Sequence, residues 1–202
     1  RQHQLLQGDR LAPHLAHYET TLDGEDWSLS AAFTDLHPGG YLHARYDDSR
    51  VGDYLATWFA HLLLCAAPPA VSSAVPPSTL SSVLLAAARG LSRNGEFHFL
   101  PLEPARAQAE LQSLLALYRE GLSQPLHFFP KSAWAHMLGG EKPPAAENKW
   151  RGGRNADFGE ANDPAYRLAL RGEKDLPDAR FYELAPRILR PLLEHLDDPR
   201  LG

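Results

Sequence analysis

The stretch from Trp27 to Ala67 constrains this chain most, because two apolar alternations, a proline-glycine turn and an amphipathic helix follow one another in it. From Trp27 to Asp35, Trp27, Leu29, Ala31 and Phe33 fall on one side and mostly polar residues on the other, the period of two of a half-buried strand. His37-Pro38-Gly39-Gly40 then reads as a turn, since proline pre-sets φ and glycine tolerates positive φ. The sequence predicts that Tyr41 to Tyr46 returns antiparallel to the first strand. After a short charged loop, Asp53 is placed to cap a helix whose apolar stripe is Leu55, Trp58, Phe59, Leu62, Leu63 and Ala66, with Thr57 and His61 off the stripe.

A strand pair followed at once by a core-facing helix resembles the centre of restriction-endonuclease-like nucleases of the PD-(D/E)xK type. That likeness implies an α/β fold with a mixed sheet flanked by helices, here with additional C-terminal helices. In such enzymes one acid on the first strand and an acid-x-lysine on the second hold a divalent metal and orient the attacking water. With the turn as anchor those positions fall at Ala32, Ala44 and Tyr46, none of which supplies an oxygen ligand or an ammonium group.

Further residues sharpen the resemblance. Leu100-Pro101-Leu102-Glu103-Pro104, the stretch Tyr118-Arg119-Glu120-Gly121 with Pro125-Leu126 after it, and the helix end Leu64-Cys65-Ala66 are similar to the C-terminal domain of the RecC family, the gamma chains of exodeoxyribonuclease V. The similarity runs from about Leu15 to Leu196. It implies a non-catalytic domain in a helicase-nuclease complex that processes broken DNA ends. The expected partners are the helicase-nuclease beta subunit, the helicase alpha subunit, double-stranded DNA ends and separated strands. It also implies no cofactor here, because ATP and magnesium serve the partner subunits. Candidate wedges for separating strands are Pro38, Gly39 and Gly40 at one turn and Asn94 at the turn Arg93 to Gly95.

At 202 residues the chain suits one domain, residues 1–202. Arg1 in place of methionine suggests a fragment of a longer chain. The N-terminus lacks a signal-peptide pattern and no apolar run is long enough to span a bilayer, so a cytoplasmic location is expected. A net charge of −5 argues against an autonomous DNA-binding module. Cys65, alone of its kind, reads as a buried small hydrophobe.

Residues 66–80 read as a flexible proline-rich loop. Ser82 to Arg89 and Glu96 to Pro101 read as strands, joined through Asn94-Gly95. Pro104 opens a helix with a stripe of Ala107, Leu111, Leu114, Leu115, Tyr118 and Leu122, closed by Gly121 as C-cap. Pro125 to Pro130 reads as extended and Ala133 to Leu138 as helical. Residues 139–163 are expected to be poorly ordered by themselves or ordered only against a partner. From Asp178, Phe181, Leu184, Ile188, Leu189, Leu192, Leu193 and Leu196 predict helix, which Pro186 and Pro191 should split or bend.

Lys149, Trp150, Arg151 and Arg154 mix cations, an aromatic ring and glycine freedom, which suits contact with phosphate or a single strand; Arg93 is a further candidate. The ordinary alternative is an exposed basic loop with Trp150 in the core. His14 and His17 are spaced to share a helix face, and His37 and His43 flank the turn, but no acid or cysteine completes a metal set, so no metal site is expected. The competing enzymatic reading is an active nuclease using Asp35 with Asp47 or Asp48, and Lys131 or Arg45 as its cation. Asp35 and the Asp47-Asp48 pair sit at opposite ends of the expected hairpin, which disfavours it.

Overall fold

The computed structural model describes residues 10–37, 39–67, 88–154 and 156–201. In chain order the elements are β1 (His14–Leu22), β2 (Glu25–Phe33), β3 (Leu36–His37), β4 (Gly40–Ala44), α1 (Val51–Ala66), β5 (Ala88–Ser92), β6 (Gly95–Phe99), α2 (Pro104–Ser123), α3 (Pro130–Leu138) and α4 (Pro143–Arg151). Two 3-10 turns (Ala156–Phe158, Glu160–Asn162), α5 (Pro164–Ala169), α6 (Ala179–His195) and β7 (Leu196–Asp197) complete it. The described strands form a ribbon β1-β2 and a sheet ordered β3-β4-β5-β6-β7. Only β4 and β5 are parallel, so the sheet is mixed, and with its helices the chain has the expected α/β nuclease-like class.

Contacts divide the chain into two compact units where one was expected: residues 1–115 with 195–200 and 202, and residues 116–194 with 201.

In the first unit the long hairpin differs from expectation. The β2 strand does alternate, with Phe33 buried, Trp27, Leu29 and Ala31 half-buried, and Ser28, Ser30 and Ala32 exposed. Its partner is β1, from Leu22↔Glu25 to His14↔Phe33. Only Leu36 and His37 pair with β4, opposite Tyr41 and Gly40. The physical reason is Asp23-Gly24, whose φ values of 50° and 82° suit the two-residue turn that matches strand twist. His14 and His17 therefore lie on opposite faces of a strand rather than one face of a helix: His14 is buried and His17 exposed.

Helix α1 starts one turn before the expected cap. Arg50 is the N-cap, and Asp53 sits in the first turn, where its carboxylate accepts from the Arg50 backbone N–H at 2.8 Å. The buried face is rotated from the expected stripe: Tyr54, Thr57, Trp58, His61, Leu62 and Cys65 are buried, whereas Phe59 is 43% exposed. Thr57 and His61 are tolerated because each is satisfied: Thr57 Oγ1 donates to the Asp53 carbonyl (2.8 Å), and His61 Nε2 donates to the Leu100 carbonyl (3.0 Å). Trp58 packs on Phe99 with ring centroids 5.1 Å apart. Ala66 ends the helix instead of opening a loop, and 68–80 lie outside the described residues.

Strand β5 is Ala88–Ser92, and the first part of the strand expected from Ser82, residues 82–87, lies outside the described residues. Gly90 belongs to the strand, not the connection, because the Phe97 ring lies where a Cβ would be, 2.1 Å from it. In α2, Pro104 opens the helix, and Ala107, Leu111, Leu115 and Leu117 are buried. Tyr118 and Leu122 are instead exposed, and Gly121 lies inside the helix, where its missing Cβ lets Leu126 approach.

In the second unit, α3 forms as expected. Residues 139–163 are not structureless: α4 and both 3-10 turns occupy them, anchored by buried Ala146 and Trp150. Glu160 is buried and accepts from the Lys131 and Ser132 backbone N–H groups (3.0 and 2.7 Å), capping α3. Helix α6 runs as one element through both prolines, with Phe181, Leu184, Ala185, Ile188, Leu189 and Leu192 buried on one stripe.

Candidate functional site

The corner where β4 meets α1 is where the nuclease comparison puts chemistry. The Arg45 N–H donates to the Leu91 carbonyl (2.8 Å) and the Arg93 N–H to the Asp47 carbonyl (3.2 Å), which keeps the chain beside β5 past the end of β4. His43 and Arg45 lie on one side of the strand and both reach Asp53, each at 3.3 Å from Oδ1. Burial opposes ionisation of Asp53, but the Arg50 N–H, His43 and Arg45 outweigh it and hold its pKa below the ordinary value. This carboxylate is committed to starting the helix.

The remaining acids are also committed. Asp47 binds Arg50 at 2.6 Å, with Arg93 at 3.4 Å and Arg45 at 3.7 Å. Asp48 takes two bonds from Arg93, at 2.9 and 2.8 Å. The Asp48 N–H, then Arg50 and Arg93, hold the Asp47 carboxyl below its ordinary range, and Arg93 does the same for Asp48. Asp35 is engaged by the Arg10 guanidinium. Among the described residues no group of three or more His, Cys, Asp or Glu is arranged to hold a metal ion. Lys131 is exposed, in the unit formed by residues 116–194.

The three positions read as degenerate are placed differently from the hairpin assumption. Ala32 is exposed and opposite Leu15 in the ribbon, whereas Ala44 is exposed and beside Leu91 in the sheet. Tyr46 is fully exposed. Ala32 therefore does not lie across a strand pair from Ala44, and the turn cannot serve as an anchor relating the two. An open concavity of about 440 Å³ is lined by Leu42, Ala44, Arg45, Tyr46, Leu91, Ser92 and Arg93, and none of these is an acid.

The candidate DNA contacts divide in two. Lys149, Arg151 and Arg154 are exposed, and Gly152, at φ 87°, ends α4 between them. Trp150 is only 8% exposed and stacks on Phe129 with centroids 4.1 Å apart, so its ring faces are used in the core and do not serve a base. Arg93 is exposed, but its guanidinium is bound to Asp48 and Asp47.

Of the two candidate wedges, Pro38 lies outside the described residues, Gly39 is exposed and Gly40 buried in a two-pair turn. The β5–β6 turn is more firmly built. Asn94 Oδ1 accepts from the Ser49 N–H (3.0 Å), Ser92 Oγ (2.7 Å) and Arg200 Nη1 (2.8 Å). Arg200 also binds Asp198 at 2.6 Å, and the Tyr54 hydroxyl donates to Asp198 at 2.7 Å. Burial, then the Asp198 carboxylate, push the Tyr54 pKa upward. Sequence reading missed Tyr54, Asp198 and Arg200, since no local pattern links residues so far apart. Cys65 is buried as expected, and burial pushes its thiol up to about 11.

The family model described as the RecC C-terminal domain matches residues 1–140. That range holds every element from β1 to α3; residues 141–196 of the likeness read from the sequence stand outside it. No curated protein matches the chain.

Proposed function

Because the chain belongs to the family of RecC C-terminal domains, and is thereby part of an exodeoxyribonuclease V gamma subunit, we propose that it is a nuclease-like domain kept for assembly and DNA guidance rather than cleavage. The family match carries this reading. Supporting it, Asp47, Asp48 and Asp53 at the β4–α1 corner each hold guanidinium groups, and Ala44 and Tyr46 offer no ligand there. In-line attack by water needs carboxylate oxygens converging on a metal, and these are turned to cations.

In this reading the domain acts in the cytosol, docked to the helicase-nuclease beta and helicase alpha subunits, which supply ATP hydrolysis and magnesium-dependent cutting. The β5–β6 turn is the wedge in this reading, since Asn94 Oδ1 accepts three hydrogen bonds that fix it. Lys149, Arg151 and Arg154 contact phosphates by charge alone, without stacking by Trp150.

The test is incubation of the folded protein with single- and double-stranded DNA and magnesium or manganese, with a chelator control. No cutting is expected. Metal-dependent cutting that Asp47→Asn with Asp48→Asn abolishes would overturn the proposal.

A further inference from the structure

The ribbon β1-β2 closes through Asp23-Gly24 with positive φ at both residues, so the flanking Leu22 and Glu25 form a doubly hydrogen-bonded pair. Such pairs recur at every second step: Thr20 with Trp27, Tyr18 with Leu29, Ala16 with Ala31 and His14 with Phe33. The backbone N–H and C=O groups of Ser28, Ser30 and Ala32 therefore point away from β1. These three residues are exposed, and among the described residues β2 pairs with β1 alone.

Folded proteins guard such edges with lysine, proline, bulges or short strands, because unpaired backbone groups accept any further strand. From Trp27 to Phe33 there is no charge and no proline, and the register with β1 is unbroken over nine residues. The charge around the strand narrows the occupant. No Lys or Arg occurs between Arg10 and Arg45, while Glu19 and Asp26 stand at the turn end, bonded to His17 (3.0 Å) and Thr21 (2.9 Å). A nucleic-acid backbone is repelled by that set, and the β2 strand of a second copy has no Lys or Arg to bring to it.

We infer that β2 receives an extended segment of a partner polypeptide as an added strand, one that carries Lys or Arg beside Glu19 and Asp26. Backbone bonds to Ser28, Ser30 and Ala32 supply its affinity and the acids its register. The inference rests on the scaffold role proposed above, but not on the absence of cleavage.

The experiment is hydrogen exchange on the full gamma chain, alone and assembled with its alpha and beta subunits, with assembly affinity measured for edge variants. Assembly should slow exchange at Ser28, Ser30 and Ala32 by about tenfold or more. Ser30→Pro removes an outward donor and no β1 bond, so affinity should fall at least about tenfold. Ser30→Ala loses only the Ser30 Oγ contact to His17 Nδ1 (2.7 Å) and should assemble normally. Should Ser30→Pro not fold, Ser28→Lys, which repels a basic segment, should weaken assembly and Ser28→Glu should not. Unchanged exchange on assembly, or edge variants that assemble as the parent does, overturns the inference and leaves the scaffold reading standing. Protection that rises with the concentration of the chain alone overturns it in favour of a second copy. A parent chain that binds neither subunit overturns both.

Discussion

Two Asp–Arg corners hold the β5–β6 turn, one buried and one in water. On one side Asp198, its side chain wholly buried, receives Arg200 and the Tyr54 hydroxyl. On the other, Arg93 and Asp48 meet with side chains 65% and 50% exposed. A buried carboxylate keeps its charge only if its oxygens are bonded, so Asp198 fixes the positions of its partners. An exposed pair exchanges readily with solvent and contributes little rigidity. Its effect is electrostatic, in that it cancels the acids at the corner where a nuclease would use them.

The largest expected effect is on the buried side. Asp198→Ala removes the carboxylate that Arg200 and the Tyr54 hydroxyl both bind and should lower unfolding free energy by about 3 kcal/mol. Urea unfolding checks this, and unchanged stability would break the contrast between the corners. Next comes acid. His61 is neutral in the fold because burial, opposed by the Leu100 carbonyl, lowers its pKa from 6.5 to about 4. Unfolding lets it bind a proton, so stability falls as pH drops from 6.5 towards 4, by about 2 kcal/mol by roughly pH 5. Asp198 acts in a separate window: its pKa is lowered, so its contribution is full above 3.8 and is lost as pH falls through the lowered value. His61→Gln, which keeps a donor for Leu100, should flatten the first window and leave the second. Identical acid profiles for this variant and the parent would count against a neutral buried His61. The smallest effect belongs to Arg93→Ala, which should leave the melting temperature unchanged in high salt; a clear loss there would show that the exposed corner is structural after all.

Alternation from Trp27 to Phe33 made a strand legible and gave its buried face, but the partner of a strand is not written in its periodicity. Asp23-Gly24 is the signal for β1 in the sequence, whereas the spacing of His14 and His17 fits a helix face as readily as a strand. In α2, Pro104, Ala107, Leu111 and Leu115 were readable, since local sterics and burial agree there. Thr57 and His61 were misplaced because a stripe drawn by residue type excludes polar groups, while the fold buries them once the Asp53 and Leu100 carbonyls accept their protons. Trp150 among cations suggested nucleic acid, and only the fold brings Phe129 onto its face. The RecC likeness survives at the level of the family, whereas the single hairpin across His37 to Gly40 that was to carry Ala32, Ala44 and Tyr46 does not form, since β2 pairs with β1.

Gly90 and Phe97 face each other across β5 and β6, and the ring fills the volume that any other residue at position 90 would claim. The two positions are thus one choice rather than two. A lineage that acquires a side chain at 90 must shrink the residue at 97 in the same step or soon after, and Tyr54, whose ring lies 4.3 Å from Phe97, loses its neighbour when that happens. Covariation among related chains should therefore be found at 90, 97 and 54 together.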